Sequence, residues 1–553
     1  MKQVHFLFLA VCVFITNFIQ AQVIIGNNQT VTVLSNTAMP FPDGIVIESG
    51  GRLDIQSGGY AGIGVGKSIR VENGGVITSL NGTISVIQEG LPGNWEGIEF
   101  NGSSVAVPAI AMVGGAIRRA HVAIGMNLQG YRKLDFRGTV FQNNEYHIVA
   151  QSTSALLPNG SRFTNCSFLK ASGMWPILMG YMNDLKFTGC TFNYQSSTSN
   201  RMVHLDGPKN VVIENCIFIY TKNAISLHYY IQDSEVTNCE FYFDEAFSTS
   251  ANADAIQVGV EVNSESIGLL IANNRIYSNG KGVLGYGIRV FKCININLKV
   301  TGNQIGLSYS GSEPFGFTNG IFIEDADEGY CVISENIIEK CGYGIYSGKG
   351  NSQLFIFCNI LSDNDTHLYV NGVLPEQFNG FDPNNQFTGA TAYDIYNANH
   401  EPLIYYTLNY VAMNAHPPLI NFNVDFIFVE EDVVIACDTQ SPGGGHGNPP
   451  RPIGDEEGRG RFDGSLQNKE FPLNISVYPN PASEVVHGMI QLEEGQSASV
   501  AISSITGQVL YEQHISGGRQ VTFDISTLSA GTYLFSVIPQ KGGRIFKRFT
   551  VIR

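Results

Sequence analysis

The chain has 553 residues, of which 14% are charged, and a formal net charge of −16. Lys and Arg are too sparse to displace counterions from a nucleic acid, so no nucleic-acid partner is expected. The length exceeds what one compact core supports, which calls for several domains or for a fold that grows along one axis.

In chain order, the opening MKQVHFLFLAVCVFITNFIQAQ sets Lys2 ahead of an apolar run from Phe6 to Ile15 and a small residue at Ala21. This layout predicts a secretory signal peptide over residues 1–21, with an exported mature chain starting near Gln22. No later stretch reaches the roughly 18 apolar residues of a membrane-spanning helix, so no transmembrane helix is expected in the mature chain. ESGGRLDIQSGG (48–59) and VENGGVITSLNG (71–82) read as thin early coils with Gly turns, and WEGIEF (95–100) opens a more regular array.

A phrase then recurs. It runs as FRGTVF (136–141), FTNCSF (163–168), FTGCTF (187–192), IENCIF (213–218) and VTNCEF (236–241), and continues as IANNRI (271–276), VTGNQI (300–305), ISENII (333–338) and IFCNI (356–360). Cys166, Cys190, Cys216 and Cys239 are spaced 24, 26 and 23 residues apart. A period in the range of about 20–50 residues marks a solenoid. After each copy comes a short alternating strand: MVHLD (202–206), AISLH (224–228), AIQVGVE (255–261), GIRVF (287–291), GIFIE (320–324) and GIY (344–346). Alternation places Val203 and Leu205, Ile225 and Leu227, Ile256 and Val258, Ile288 and Val290, and Ile321 and Ile323 inside. Such spacing leaves no room for helical crossovers, so the expected fold is all-β, a parallel β-helix over residues 22–436. Each coil reads as one such strand and one strand ending in the Asn-Cys phrase, with turns between them. Residues 371–436 read as closing coils or a cap. The ladder cysteines read as a packed inward seam, since free Cys behaves as a small hydrophobe. Cys331 and Cys341 are close enough in sequence to pair.

The outward parity of the alternating strands holds the candidate site. It contains His204 and Asp206, Ser226 and His228, Gln257 and Glu261, Arg289, Phe322 and Glu324, Tyr346 and Tyr369, with Lys292 and Asp325 just beyond strand ends. Neighbouring coils bring such side chains within reach of one another. Three chemistries are open. His204 or His228 as base with Arg289 as carboxylate clamp suits a polysaccharide lyase. Asp206 paired with Glu261 or Glu324 suits a glycoside hydrolase. Phe322, Tyr346 and Tyr369 as stacking platforms, with Glu261, suit glycan binding without turnover. No metal-ligand set is assigned. EDADE (324–328) offers carboxylates to Ca²⁺ but lacks the spacing and Gly of a calcium loop.

Residues 437–470 change to a Gly/Pro-rich linker containing SPGGGHGNPPRPIGDEEGRGRFDG, and residues 471–553 form a separate small β unit, expected to be a β-sandwich. In that unit VYPNPASE (477–484), ITGQVLYE (505–512), FDISTLSAGTYLFSV (523–537) and FKRFTVIR (546–553) supply turn signals between alternating strands.

On these phrases the body resembles the right-handed parallel β-helix proteins of the pectate-lyase-like superfamily. The tail resembles the C-terminal type A sorting domain of the type IX secretion system of Bacteroidetes-like bacteria. The first resemblance implies a fold shared by lyases, glycosidases, epimerases and adhesins, and no single activity. The second implies type IX secretion machinery as a partner, with passage to the outer-membrane surface or the extracellular space. GHG (445–447) resembles a motif of polygalacturonase-type hydrolases. Without an Asp pair in a preceding coil or rigid support, His446 is given no role.

Overall fold

Three strands, not two, make each coil. The computed structural model describes residues 22–428 and 474–552, less several connecting stretches of which 408–423 and 373–384 are the longest. Residues 1–21 and 437–470, expected to be the signal peptide and the linker with His446, lie outside the described residues. Among the described residues the body is a right-handed parallel β-helix. Its first sheet stacks fifteen strands, from Val23–Ile25 to Tyr393–Asn397. The second stacks thirteen, from Thr30–Val33 to Leu354–Phe357, and the third fourteen, from Ala38–Phe41 to Gln386–Thr388. The repeat therefore runs on past residue 371, with the strand 393–397 paired to 366–370.

The recurring phrase is a corner between two strands rather than the end of one. In FTNCSF, Arg162–Thr164 belongs to the second sheet and Ser167–Leu169 to the third. Asn165 between them has a φ of 52°, and the same corner holds Gly138, Gly189, Asn215, Asn238, Asn273 and Gly302 at φ between 50° and 65°. Gly and Asn visit this left-handed region most cheaply, so the alternation of Asn and Gly in the phrase is a turn requirement.

The next residue points inward. Thr139, Cys166, Cys190, Cys216, Cys239, Asn274, Asn303, Asn336 and Asn359 are all buried. Cys190 Sγ donates to the Phe163 carbonyl of the preceding coil at 3.2 Å. Asn303 Nδ2 donates to the equivalent Ile271 carbonyl at 3.0 Å. Thiol and amide thus serve the same acceptor, and the thiols are free. Cys331 and Cys341 are also buried and form no disulfide with one another, so the pairing that their proximity in sequence allowed is not made. Cys331 lies within a second-sheet strand, where its side chain joins the core. Burial raises both thiols to about 12, so they are unreactive.

Asn303 is held on both sides. Its Oδ1 accepts from Asn274 N at 3.0 Å and Asn274 Nδ2 at 2.9 Å, and its Nδ2 donates to Asn336 Oδ1 at 2.9 Å. Asn303→Ala strands these buried groups and should cost about 2–4 kcal/mol. Asn303→Cys, which keeps a donor used four times in the same column, should lie between wild type and alanine in thermal midpoint. Equal midpoints for the two variants would count against the shared-acceptor account.

Inward columns elsewhere are apolar. Phe141, Phe168, Phe192, Phe218 and Phe241 stack with centroids 4.5–4.9 Å apart. Val203, Ile225, Ile256, Ile288 and Ile321 are in register and wholly buried, as the alternation predicts.

Contacts divide the chain into units of residues 1–443 and 444–553. In the second unit the strands are antiparallel, forming a sheet of 474–478, 485–491 and 519–524 and another of 497–504, 509–516, 531–539 and 545–551. Val486, Ile490, Val500, Ile502, Phe535, Val537 and Phe549 share one core.

Candidate functional site

The outer face of the first sheet carries the site, because its strands are the ones whose outward positions are large and chemically varied. Register puts His204, Ser226, Gln257, Arg289, Phe322, Tyr346, Tyr369 and Tyr396 in one column. Asp206, His228, Gly259, Phe291 and Glu324 form the adjacent column. Glu261 lies outside the described residues, as do residues 326–328 of the carboxylate cluster considered for Ca²⁺.

The first half of the face is polar. His204 is nearly buried, its ring stacked on Trp175 with centroids 5.5 Å apart, and its Nε2 lies 3.1 Å from Asp206 Oδ1. The His228 ring is 4.8 Å from that of His204, centroid to centroid. Its Nε2 lies 2.7 Å from Ser226 Oγ, and Ser226 Oγ donates to Gln257 Oε1 at 3.2 Å. With its proton directed to Gln257 and no exposed surface, Ser226 orients His228 and is not placed as a nucleophile.

Arg289 marks the junction. Its guanidinium sits 4.7 Å from the Tyr286 ring centroid, 4.8 Å from that of Phe291 and 5.9 Å from that of Phe322. Asp254 Oδ2, on a carboxylate with 1% side-chain exposure, is 3.8 Å from Arg289 Nη1. The cation therefore lies beside a buried anion and three rings, with about a quarter of its side chain exposed.

The second half is aromatic. Phe322, Tyr346, Tyr369 and Tyr396 stack with centroids 5.0, 4.8 and 5.1 Å apart and interplanar angles of 19°, 14° and 9°. Ring carbons in direct contact lie about 3.5–4.0 Å apart, so each ring is offset and leaves part of its face uncovered. Tyr343 and Tyr393 pack edge-on or tilted beside them. Burial raises the Tyr369 phenol above its ordinary pKa, and burial outweighs Arg289 in doing the same for Tyr286. These two phenols stay uncharged at physiological pH.

The expected site residues are thus brought together in two groups, not one. His204, Asp206 and His228 converge. Arg289 is three rungs from His204, about 14 Å at ~4.8 Å per rung, too far to clamp a group on which His204 acts. Asp206 and Glu324 are four rungs apart, about 19 Å, beyond the ~5–9.5 Å of a hydrolase pair. That pairing is corrected by the register, which places the two carboxylates on strands four coils apart.

Trp175, Asp254, Tyr286, Tyr343, Tyr393 and Tyr396 were not anticipated. For most of them a signal exists, since Asp254, Tyr286, Tyr343 and Tyr393 each sit three positions before an outward residue. Trp175 has none.

Residues 122–306 match the family described as right handed beta helix region, and residues 476–552 match the secretion system C-terminal sorting domain. No curated protein sequence matches the chain. Among solved structures, a periplasmic alginate epimerase is 11% identical over 74% of this chain and 84% of its own, with a TM-score of 0.33. A lacto-N-biosidase from Eubacterium ramulus is 11% identical over 63% of this chain and 62% of its own, with a TM-score of 0.29. The tailspike protein of an E. coli bacteriophage, in complex with a pentasaccharide, is 12% identical over 94% and 86%, with a TM-score of 0.32. Similarity this low says nothing about what this chain binds. No helix among the described residues is long and apolar enough to cross a membrane. The chain is a right-handed parallel β-helix protein whose C-terminal sorting domain consigns it to the type IX secretion machinery for export to the cell surface or the extracellular space.

Proposed function

We propose that this exported β-helix binds an extended glycan along the outer face of its first sheet, without turning it over. The observation that carries the reading is the ladder Phe322–Tyr346–Tyr369–Tyr396, four half-buried rings on successive coils, each with part of its face uncovered. Partly exposed aromatic faces offer apolar area at little entropic cost and suit the C–H faces of sugar rings. Because Arg289 is already paired with Asp254, the face favours neutral over uronic-acid chains.

Binding to a panel of neutral and uronic-acid polysaccharides tests this. Tyr346→Ala or Tyr369→Ala should weaken binding about tenfold, equivalent to roughly 1.4 kcal/mol, with little dependence on salt. A ladder that only stabilises the coil would lower the melting temperature and leave affinity unchanged, which would sink the reading.

The convergence of His204, Asp206 and His228 favours a second reading, a polysaccharide lyase or hydrolase acting on the same face. Release of unsaturated or reducing products from the panel, lost in His204→Ala and His228→Ala, would replace the first reading with this one.

A further inference from the structure

We propose that His204, Asp206 and His228 form a site for a divalent first-row transition-metal ion, of which Zn²⁺ is the best match. One ligand atom from each residue lies within 4.8 Å of those of the other two. The topology builds this cluster directly. His204 and Asp206 share the outward parity of Val203–Asp206, and Asp206 is paired with His228 on the next coil.

His204 Nε2 and Asp206 Oδ1 are 3.1 Å apart, yet Asp206 Oδ1 is buried and accepts no hydrogen bond. His204 Nδ1 is likewise buried without a hydrogen-bond partner. An imidazole nitrogen and a carboxylate oxygen held this close without an aligned hydrogen bond are matched by a cation that both can coordinate. Ligands on a tetrahedral zinc with bonds of about 2.0–2.2 Å stand roughly 3.3–3.6 Å apart, close to the His204–Asp206 separation. The widest separation in the cluster, up to 4.8 Å, must close by about 1.2–1.5 Å to reach that tetrahedral spacing. That is within a side-chain rotation.

The surroundings are those of a supported metal site. Trp175 stacks on His204, while Ser226, itself held by Gln257, fixes His228. Outer groups that orient ligating imidazoles in this way are a usual part of metal sites. The donor set is two nitrogens and one carboxylate, which suits Zn²⁺ and its neighbours and disfavours Ca²⁺, whose ligands are oxygens. Three protein ligands leave a position open to water or to a ligand oxygen. The proposal does not depend on glycan binding, and its test needs no glycan.

Purified full-length protein, stripped with a chelator, is titrated with Zn²⁺ and separately with Ca²⁺ by calorimetry, and with Co²⁺ by visible absorption. The expected result is one Zn²⁺ site absent from the Ca²⁺ titration, and Co²⁺ bands of a low-symmetry nitrogen/oxygen site. Asp206→Asn, which keeps shape and removes the charge, should weaken Zn²⁺ binding at least 30-fold, as should His204→Ala. Circular dichroism checks that both variants keep their strands. With 11 histidines in the chain, weak binding elsewhere is the main competitor. Identical Zn²⁺ isotherms for wild type and Asp206→Asn, or Co²⁺ bands unchanged in His204→Ala, would overturn the proposal.

Discussion

Ile321→Asp is expected to unfold the middle of the β-helix. Ile321 is fully buried and stacks in register between Ile288 and Ile345. Removing the aliphatic group forfeits about 2–3 kcal/mol of burial, and an unpaired carboxylate in its place costs several more. The sum, about 5 kcal/mol or more, rivals the whole stability of an ordinary domain. Each coil of a solenoid is stabilised by its neighbours, so the damage spreads to both sides of the substituted rung. Ile321→Val sets the scale, with an expected loss of about 1 kcal/mol. Denaturant midpoints followed by circular dichroism give the comparison. An Ile321→Asp protein within about 1 kcal/mol of wild type would mean that the interior column is not the main support of the fold.

Acid is expected to destabilise the body through two buried histidines. Asn144 Nδ2 lies 3.1 Å from His147 Nδ1, and Asn364 Nδ2 lies 3.0 Å from His367 Nδ1. An amide N–H donating to Nδ1 keeps the imidazole neutral with its proton on Nε2. Burial lowers His147 to about 3 and His367 to about 4, from an ordinary 6.5. Asp394 Oδ1, 3.5 Å from His367 Nε2, does not reverse the effect of burial. The sign follows from proton counting. Below pH 6.5 the unfolded chain takes up protons that the folded chain refuses, so stability falls as pH falls from about 6.5 toward 4 and levels off below the folded values. For His147 the loss between pH 7 and pH 4 is about 3 kcal/mol at ~1.4 kcal/mol per pH unit. His147→Gln retains an acceptor for Asn144 and does not titrate. Whatever it costs at neutral pH, it should remove about that much of the pH dependence. Unchanged pH dependence in urea unfolding would show that His147 is not held neutral.

Among the described residues the hydrogen-bonded Asn-x-x-His arrangement occurs at Asn144 to His147 and at Asn364 to His367, and both copies lie at equivalent corners where the Asn side chain caps a buried backbone N–H. It is legible in the sequence once the coils are aligned. The reason it passes unnoticed is that a buried, hydrogen-bonded histidine and an exposed catalytic one look alike until burial is known.

Much of the architecture was determined by the sequence alone. Strand alternation decides which side chains face inward, because successive residues of a strand point to opposite sides, and the columns Val203 to Ile321 and Leu205 to Ile323 followed from that rule. The period decides that coils stack, and four ordered phrases mark the sorting domain. The tertiary structure decided what distance along the chain cannot express. A single left-handed residue at Asn165 or Asn215 splits the repeated phrase between two sheets, which turns a two-strand coil into a three-strand one. Insertions between coils vary in length but leave one first-sheet strand per rung. Strand order therefore already sets Arg289 two rungs from His228 and three from His204, and the register bears this out. The same register separates Glu324 from His204 while closing Asp206 onto His228. Side-chain contact then settled the chemistry on offer: an Arg289 beside Asp254 and three rings, a shingled row of rings, and a compact group of two imidazoles and a carboxylate. Those outcomes depend on burial and on side-chain contact, and both exist only once the coils have stacked.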